Sequence, residues 1–181
     1  MLKGIFTTPQ RIVIDGSYSK KFNQTEPLST LLVLPSSCKS HIMPQSHFDF
    51  SDDEYVHRFE AMTFPPRLFS HEAHLRLAFI HIRKYGVVQA ARNMQNQIKG
   101  LAIKYGATKY HDTITVAAVH AVHHFHQEDP ELDFSELITK HSVLMTDFRG
   151  LLNSHYSYDI FTSEKAKETY QEPDVQPFQM V

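Results

Sequence analysis

Two histidines three residues apart, His71 and His74, occur in the segment FSHEAHLRLAF (residues 69–79), where the pattern predicts that a helix begins. Helical bundles use an i, i+3 pair on one helix face for paired metal ligands. His111 lies at the start of a later predicted helix, and Glu60 lies near the end of an earlier one. Imidazole and carboxylate groups suit zinc, iron, nickel or manganese. These four side chains are therefore the predicted ligands of one divalent metal, with zinc or iron preferred.

The predicted helices would bring these ligands to one end of a bundle. A helix turns about 100° per residue, which places His71 and His111 on the apolar faces of their helices and His74 at the edge. In an antiparallel bundle the second and fourth helices run parallel, so their starts lie together, next to the end of the first helix. Glu60 reaches this position only from the edge. The alternative interpretation is that these residues cap helices and pack in the core.

Four further residues are predicted to surround the site or line its pocket: Thr115, Tyr110, Tyr156 and Arg76. A threonine hydroxyl can support a ligating histidine, whereas tyrosines can line a pocket or simply pack in the core. Arg76 is predicted to face outward. It could anchor an anionic substrate or pair with Asp174, and the ion pair is the preferred interpretation.

The most conspicuous histidines lie in the segment HAVHHFH, residues 120–126. On a regular helix His120 and His124 point away from the apolar stripe, and His123 lies beside them. Together with His126 they are predicted to form a solvated face. Such a face would bind nickel or zinc only weakly.

Motifs around these residues resemble an uncharacterised family of small bacterial proteins. They are FSHEAHLRLA (69–78), YHDTIT (110–115), HYS (155–157) and EPD (172–174), and the likeness covers about residues 54–177. The resemblance implies no activity, cofactor or substrate. A looser similarity is to histidine metal bundles of the DinB kind, which hold a metal with three histidines. No HExxH motif is present, because HEAH is one residue too short.

Hydrophobic periodicity predicts an all-α fold. The expected architecture is an antiparallel helical bundle with extra short C-terminal helices and a non-helical N-terminal extension. Residues 1–50 are predicted to be this extension and a linker, with short strands at RIVID and STLLVL, and residues 51–181 the helical bundle domain. Met43 is an alternative start of translation.

Composition narrows the function classes. The 181 residues carry a net charge of −2 and one cysteine, and all 13 histidines lie between His41 and His155. No predicted helix carries a basic stripe with interleaved aromatic residues, so nucleic-acid binding is not predicted. No apolar stretch approaches the roughly 20 residues of a membrane helix. A cytoplasmic protein is therefore predicted. Its oligomeric state is left open.

The sequence leaves two function classes open. The first is a metal-dependent hydrolase or a non-haem iron enzyme acting on a small molecule, in which an open metal position holds water or a substrate oxygen. The alternative is a non-enzymatic helical binding or structural protein whose histidines are packing and capping residues. A deep polar pocket would favour the enzyme, and ring nitrogens satisfied by the backbone would favour the alternative.

Overall fold

The computed structural model describes residues 43–107 and 110–178, and all regular structure in these ranges is helical. The helices there are α1 (Asp52–Glu60), α2 (His71–Tyr85), α3 (Val87–Lys104), α4 (Asp112–Glu128), α5 (Phe134–Lys140), α6 (Val143–Thr146), α7 (Phe148–Asn153) and α8 (Glu164–Glu168). Single-turn helices at His47–Asp49 and Pro66–Leu68 precede α1 and α2. The predicted all-α bundle with short C-terminal helices is confirmed. Within the described ranges, no helix has the length and apolar character needed to cross a membrane.

Helices α2, α3 and α4 pack pairwise and form the centre of the bundle. Ser70 begins α2, because its hydroxyl accepts a hydrogen bond from the Ala73 amide at 3.1 Å. Gly86, with a φ of 76°, ends α2 and directly precedes α3. Glycine adopts this left-handed conformation without steric cost, so the chain reverses within one residue and α2 and α3 run antiparallel.

Helix α4 is covered on almost every side, since α2, α3, α7 and α8 all contact it. Its buried residues are small: Thr113, Thr115, Val116, Ala117, Ala118, Val119, Ala121 and Val122. Small side chains allow neighbouring helices to approach closely. The apolar stripe of α4 in the sequence therefore describes only part of its buried surface.

Buried aromatic residues fix the connection between α1 and α2: Tyr55, Phe59 and Phe64. The Tyr55 hydroxyl donates to the Ala73 carbonyl at 2.7 Å and links α1 to the first turn of α2. The Lys104 ammonium, at the end of α3, donates to the Met62 carbonyl at 2.8 Å. The α1–α2 connection and the end of α3 therefore lie at the same end of the bundle.

The C-terminal tail returns to the start of α4. The Tyr170 amide donates to the Asp112 carboxylate at 2.8 Å, and the Gln171 amide donates to the Thr113 hydroxyl at 3.0 Å. Each bond joins the main chain of the tail to a side chain in the first turn of α4. Asp112 and Thr113 thus fix the path of the tail.

The first 42 residues lie outside the described residues, and the predicted strands lie among them. Met43, the first described residue, stays a predicted alternative start of translation. The division of the chain at residue 50 stays a prediction. Part of the predicted linker is nevertheless packed on the bundle. His47 and Phe50 are each 5% exposed, and Ser46 caps the single-turn helix that they flank.

Candidate functional site

His111 is the N-cap residue of α4, and the backbone occupies both of its ring nitrogens. Nδ1 accepts a hydrogen bond from the Ile114 amide at 3.3 Å, and Nε2 donates to the Ile160 carbonyl at 3.0 Å. Burial lowers the pKa of His111, although the bond to Ile160 opposes this effect. The residue is therefore a neutral cap that joins α4 to the C-terminal region.

His71 lies on the surface at the start of α2. Its Nε2 donates to the Leu144 carbonyl at 2.8 Å, and its ring contacts that of Phe148, with the centroids 4.6 Å apart. These partners belong to α6 and α7, whereas His111 contacts the segment before α8. The two histidines thus point to different parts of the C-terminal region.

His74 has an unsatisfied ring nitrogen. The side chain as a whole is only partly buried, but Nε2 is inaccessible to solvent and has no hydrogen-bond partner. Its ring lies 5.7 Å from that of Phe69, measured between centroids. Burial, with a smaller contribution from neighbouring His71, lowers the pKa of His74 to about 4. The imidazole is therefore neutral at pH 7.

The four predicted metal ligands do not converge. Glu60 is exposed, and its carboxylate acts on His81 rather than on the helix-start histidines. Residues 43–107 and 110–178 contain no group of three or more His, Cys, Asp or Glu side chains arranged to hold a metal ion. One reason is local: His111 has φ −141° and ψ 111°, so the helical periodicity used to orient it does not apply to this cap residue.

His81 is a buried histidine in the second half of α2. It is 0% exposed, and its Nε2 donates to the Gln97 side-chain oxygen at 2.9 Å. The Asn93 amide group lies 3.4 Å from Nδ1. Burial lowers the pKa of His81, and the bond to Gln97 opposes the shift. This polar pair fixes how α2 and α3 pack against each other. The only sign of it in the sequence is a polar residue within the apolar face of each helix.

The outward orientation predicted for Arg76 is wrong. The side chain is 6% exposed, and its guanidinium donates to the carbonyls of His47 and Phe50 and to Asp52, the last at 2.7 Å. The segment before α1 covers this face of α2, which helical periodicity alone could not reveal. The preferred ion pair with Asp174 is also wrong, since that carboxylate accepts from the Ser157 amide at 2.8 Å.

Three other predicted pocket residues have separate roles. The Thr115 hydroxyl donates to the His111 carbonyl at 2.9 Å, so it supports the cap's main chain and not its ring. Tyr156 is buried and donates to the Gln171 carbonyl at 3.1 Å. The Tyr110 hydroxyl donates to Asp112, and its ring lines a cleft described below.

The histidine run of α4 is half-buried, so the predicted solvated face is wrong. The His120 ring stacks on Phe178 at 5.6 Å, and the His126 ring meets Phe79 edge-on at 5.2 Å. Burial lowers the pKa of both histidines. The tail and α2 cover surfaces that periodicity had assigned to solvent.

An apolar cleft of about 370 Å³ lies at the end of the bundle where α3 ends. We name it the aromatic cleft. It is lined by Pro66, Phe69, Ile98, Leu101, Ala102, Tyr105, Ala107 and Tyr110. None of these described lining residues is charged. The volume falls within the range of roughly 300–1,000 Å³ that is usual for small-molecule sites.

Two lysines stand at the rim of the aromatic cleft. The Lys99 ammonium lies 6.0 Å from the centroid of the Tyr110 ring, and the Lys104 ammonium lies 5.8 Å from that of Tyr105. Lys99 is exposed. The cleft therefore combines an apolar floor with a cationic rim.

Two observations indicate that His74 lies close to this cleft. Its ring contacts Phe69, a lining residue. It also precedes His81 by two helical turns, so both lie on the face of α2 that packs against α3. Because α2 and α3 are antiparallel and His81 contacts Gln97, we expect His74 to face a later turn of α3.

Comparisons with known proteins give no match: no family model, no curated protein and no solved structure is similar to the chain. The resemblance of its motifs to small bacterial proteins and to histidine metal bundles therefore stays a prediction.

Proposed function

We propose that this protein is a non-enzymatic helical binding protein that takes a small apolar molecule bearing an acidic group in the aromatic cleft. The observation that carries the proposal is the cleft itself, which has three aromatic side chains and no charged side chain among the described residues that line it. Burial of apolar ligand surface there would supply most of the affinity.

The cationic rim selects the ligand class. Lys99 makes no ion pair among the described residues and is exposed beside the Tyr110 ring, so it is available to an anion. Asp112 lies nearby, but its carboxylate accepts from Tyr110, Gln95 and the Tyr170 amide. Its charge is therefore engaged by donors. A carboxylate or sulfonate on an otherwise apolar ligand fits this rim better than a neutral polar group.

The helix-start histidines support the non-enzymatic class. His111 uses both ring nitrogens in capping, and His71 uses Nε2 on a backbone carbonyl. Both roles are structural. His74 would stay neutral behind Phe69 and add no charge to the apolar floor.

The test uses two fluorescent probes of similar shape, anionic anilinonaphthalene sulfonate and neutral N-phenylnaphthylamine. The expected result is saturable fluorescence of both with full-length protein and tighter binding of the sulfonate. Ala102→Leu should fill the cleft and abolish binding, whereas Ala61→Leu adds the same volume at an exposed site outside it. Equal binding by both variants would overturn the proposal.

The rim has its own matched pair of variants. Lys99→Gln should weaken binding of the sulfonate by up to about fivefold and leave binding of the neutral probe unchanged, since a rim charge contributes at most about 1 kcal/mol. Lys165→Gln, an exposed residue of α8, makes the same charge change elsewhere. An equal effect of both variants would mean that net charge, not the rim, attracts the anion.

A metal-dependent function is the second candidate, supported by the unpartnered Nε2 of His74 one helical turn from His71. Zinc or iron held there would need further ligands from a substrate or from water. The test is metal content by mass spectrometry of untagged protein, with His74→Ala and His71→Ala. About one metal per chain, lost in both variants, would support this candidate. A metal retained in both would rule it out.

A further inference from the structure

A second, smaller cavity of about 130 Å³ lies between α4 and the C-terminal tail, away from the aromatic cleft. We name it the tail pocket. It is lined by His120, Tyr170, Glu172, Pro173, Pro177 and Phe178. Its volume is well below that of ordinary small-molecule sites, so it suits a single headgroup and not a whole drug-sized ligand.

One wall of the tail pocket is aromatic and held in place. Phe178 is 9% exposed and stacks on His155, with centroids 4.0 Å apart and planes 24° apart. The His120 ring lies 5.6 Å from the same phenyl ring, and the two planes differ by only 17°. His155 is itself fixed, because its Nδ1 donates to the Gln176 carbonyl at 2.7 Å.

Among the described residues that line the tail pocket, Glu172 carries the only formal charge, and it is negative. The Glu172 carboxylate accepts from the Tyr170 hydroxyl at 3.1 Å, and no described residue forms an ion pair with it. Burial lowers the pKa of His120, which outweighs the opposite effect of Glu172. At pH 7 His120 therefore adds an aromatic surface without a competing positive charge.

We propose that the tail pocket binds a small alkylammonium group, held by the carboxylate of Glu172 and by the aromatic faces of Phe178, Tyr170 and His120. Aromatic rings attract cations through their negative faces, and methylated ammonium ions gain most because they are weakly hydrated. The prolines add apolar surface that suits methyl groups. This inference is independent of the aromatic cleft.

The ammonium group could belong to a free small molecule or to a methylated lysine of a peptide. Both present the same headgroup to a pocket of this size. The experiment therefore includes both sources.

The test follows the aromatic side-chain signals of Phe178 and His120 by nuclear magnetic resonance in the full chain. Choline is titrated in parallel with neohexanol, its neutral isostere in which carbon replaces nitrogen, and with a peptide carrying trimethyllysine. Saturable shifts with choline or with the peptide, and none with neohexanol, are expected. The tighter of the two cationic ligands identifies the source. Equal shifts with neohexanol, or no shift with either cation, would overturn the proposal.

Charge variants supply the control. Glu172→Gln keeps an acceptor for the Tyr170 hydroxyl, so the tail should stay folded. Choline binding should weaken by about threefold to fivefold through loss of the charge, because Glu172 is exposed. Glu168→Gln changes the net charge equally at an exposed position outside the tail pocket, and should bind choline like the parent. Unchanged binding by Glu172→Gln would overturn the role of the carboxylate.

Discussion

The starts of α2 and α4 resemble each other in sequence, since each places an aromatic residue one or two positions before a histidine, yet their polar groups are satisfied to different extents. At the start of α4, His111 uses both ring nitrogens, and Asp112 accepts from three groups. At the start of α2, His71 uses one nitrogen, and Nε2 of His74 has no partner. The start of α4 is therefore a structural junction, whereas the start of α2 retains a polar group that is free to bind a partner.

This difference follows from what covers each helix start. The tail lies over the first turn of α4 and supplies amide donors to Asp112 and Thr113. The first turn of α2 is next to the aromatic cleft, where the lining is apolar and offers His74 no partner. Where every polar group has a hydrogen-bond partner, as at the start of α4, substitution of any of these residues should destabilise the fold. Where a polar group has no partner, as at the start of α2, it can still bind a ligand.

The largest effect is expected from Asp112→Ala, which should lower the free energy of unfolding by about 3 kcal/mol because it leaves Tyr110, Gln95 and the Tyr170 amide without an acceptor. Ser70→Ala, at the start of α2, removes a single capping bond and should cost about 1 kcal/mol. Denaturant unfolding of both variants checks the ratio. Equal losses would contradict the idea that only α4 begins at a structural junction.

Acid should weaken the protein through His74. Its pKa is about 4 in the folded state and 6.5 when unperturbed, so between these values the unfolded chain binds more protons. The contribution of neutral His74 to stability is therefore fully present above pH 6.5 and is lost as the pH falls toward 4. The loss is at most about 3 kcal/mol, since part of the ring is exposed to solvent.

The measurement is denaturant unfolding at pH 7.5 and pH 4.5, with His74→Leu as the comparison. The variant keeps similar volume and has no group to protonate, so its stability should fall less between the two values. Other histidines contribute in the same direction in both proteins, because burial lowers their pKa values: His47, His81, His111, His120, His123 and His126. Parallel losses in parent and variant would assign the acid sensitivity to those residues instead.

A direct comparison of the two helix starts uses the variants His111→Ala for α4 and His71→Ala for α2. The first removes a cap and the bond to Ile160, and should cost about 2 kcal/mol. The second removes one partly buried bond and should cost about 1 kcal/mol. Thermal unfolding of both proteins at one pH measures the difference. A larger loss for His71→Ala would reverse the assignment of the structural junction.

The fold was accessible from the sequence because its signals are local. Ser70 and Gly86 mark the ends of α2 by capping chemistry, and the apolar period of α3 needs no knowledge of its partners. The same local signals misplaced Arg76. Its position depends on the segment before α1 lying across α2, a contact between residues more than 20 positions apart.

The candidate site was less accessible for two physical reasons. His111 is a cap residue with extended backbone angles, so extrapolation of the helix is no guide to the direction of its ring. The aromatic cleft is formed by residues that share no chemical motif, such as Ala102 and Pro66, because it lies between the α1–α2 connection and the end of α3. Only Tyr110 was predicted as a pocket residue and also lines the cleft.

Tyr110 belongs to both regions, and Tyr110→Phe therefore tests whether they are separable. The hydroxyl serves the α4 junction through Asp112, while the ring lines the aromatic cleft. Loss of one donor among several should lower the free energy of unfolding by about 1 kcal/mol. The retained ring should keep the affinity for anilinonaphthalene sulfonate within a factor of about two. A large loss of probe affinity at unchanged stability would instead make the hydroxyl a ligand contact and join the two regions into one site.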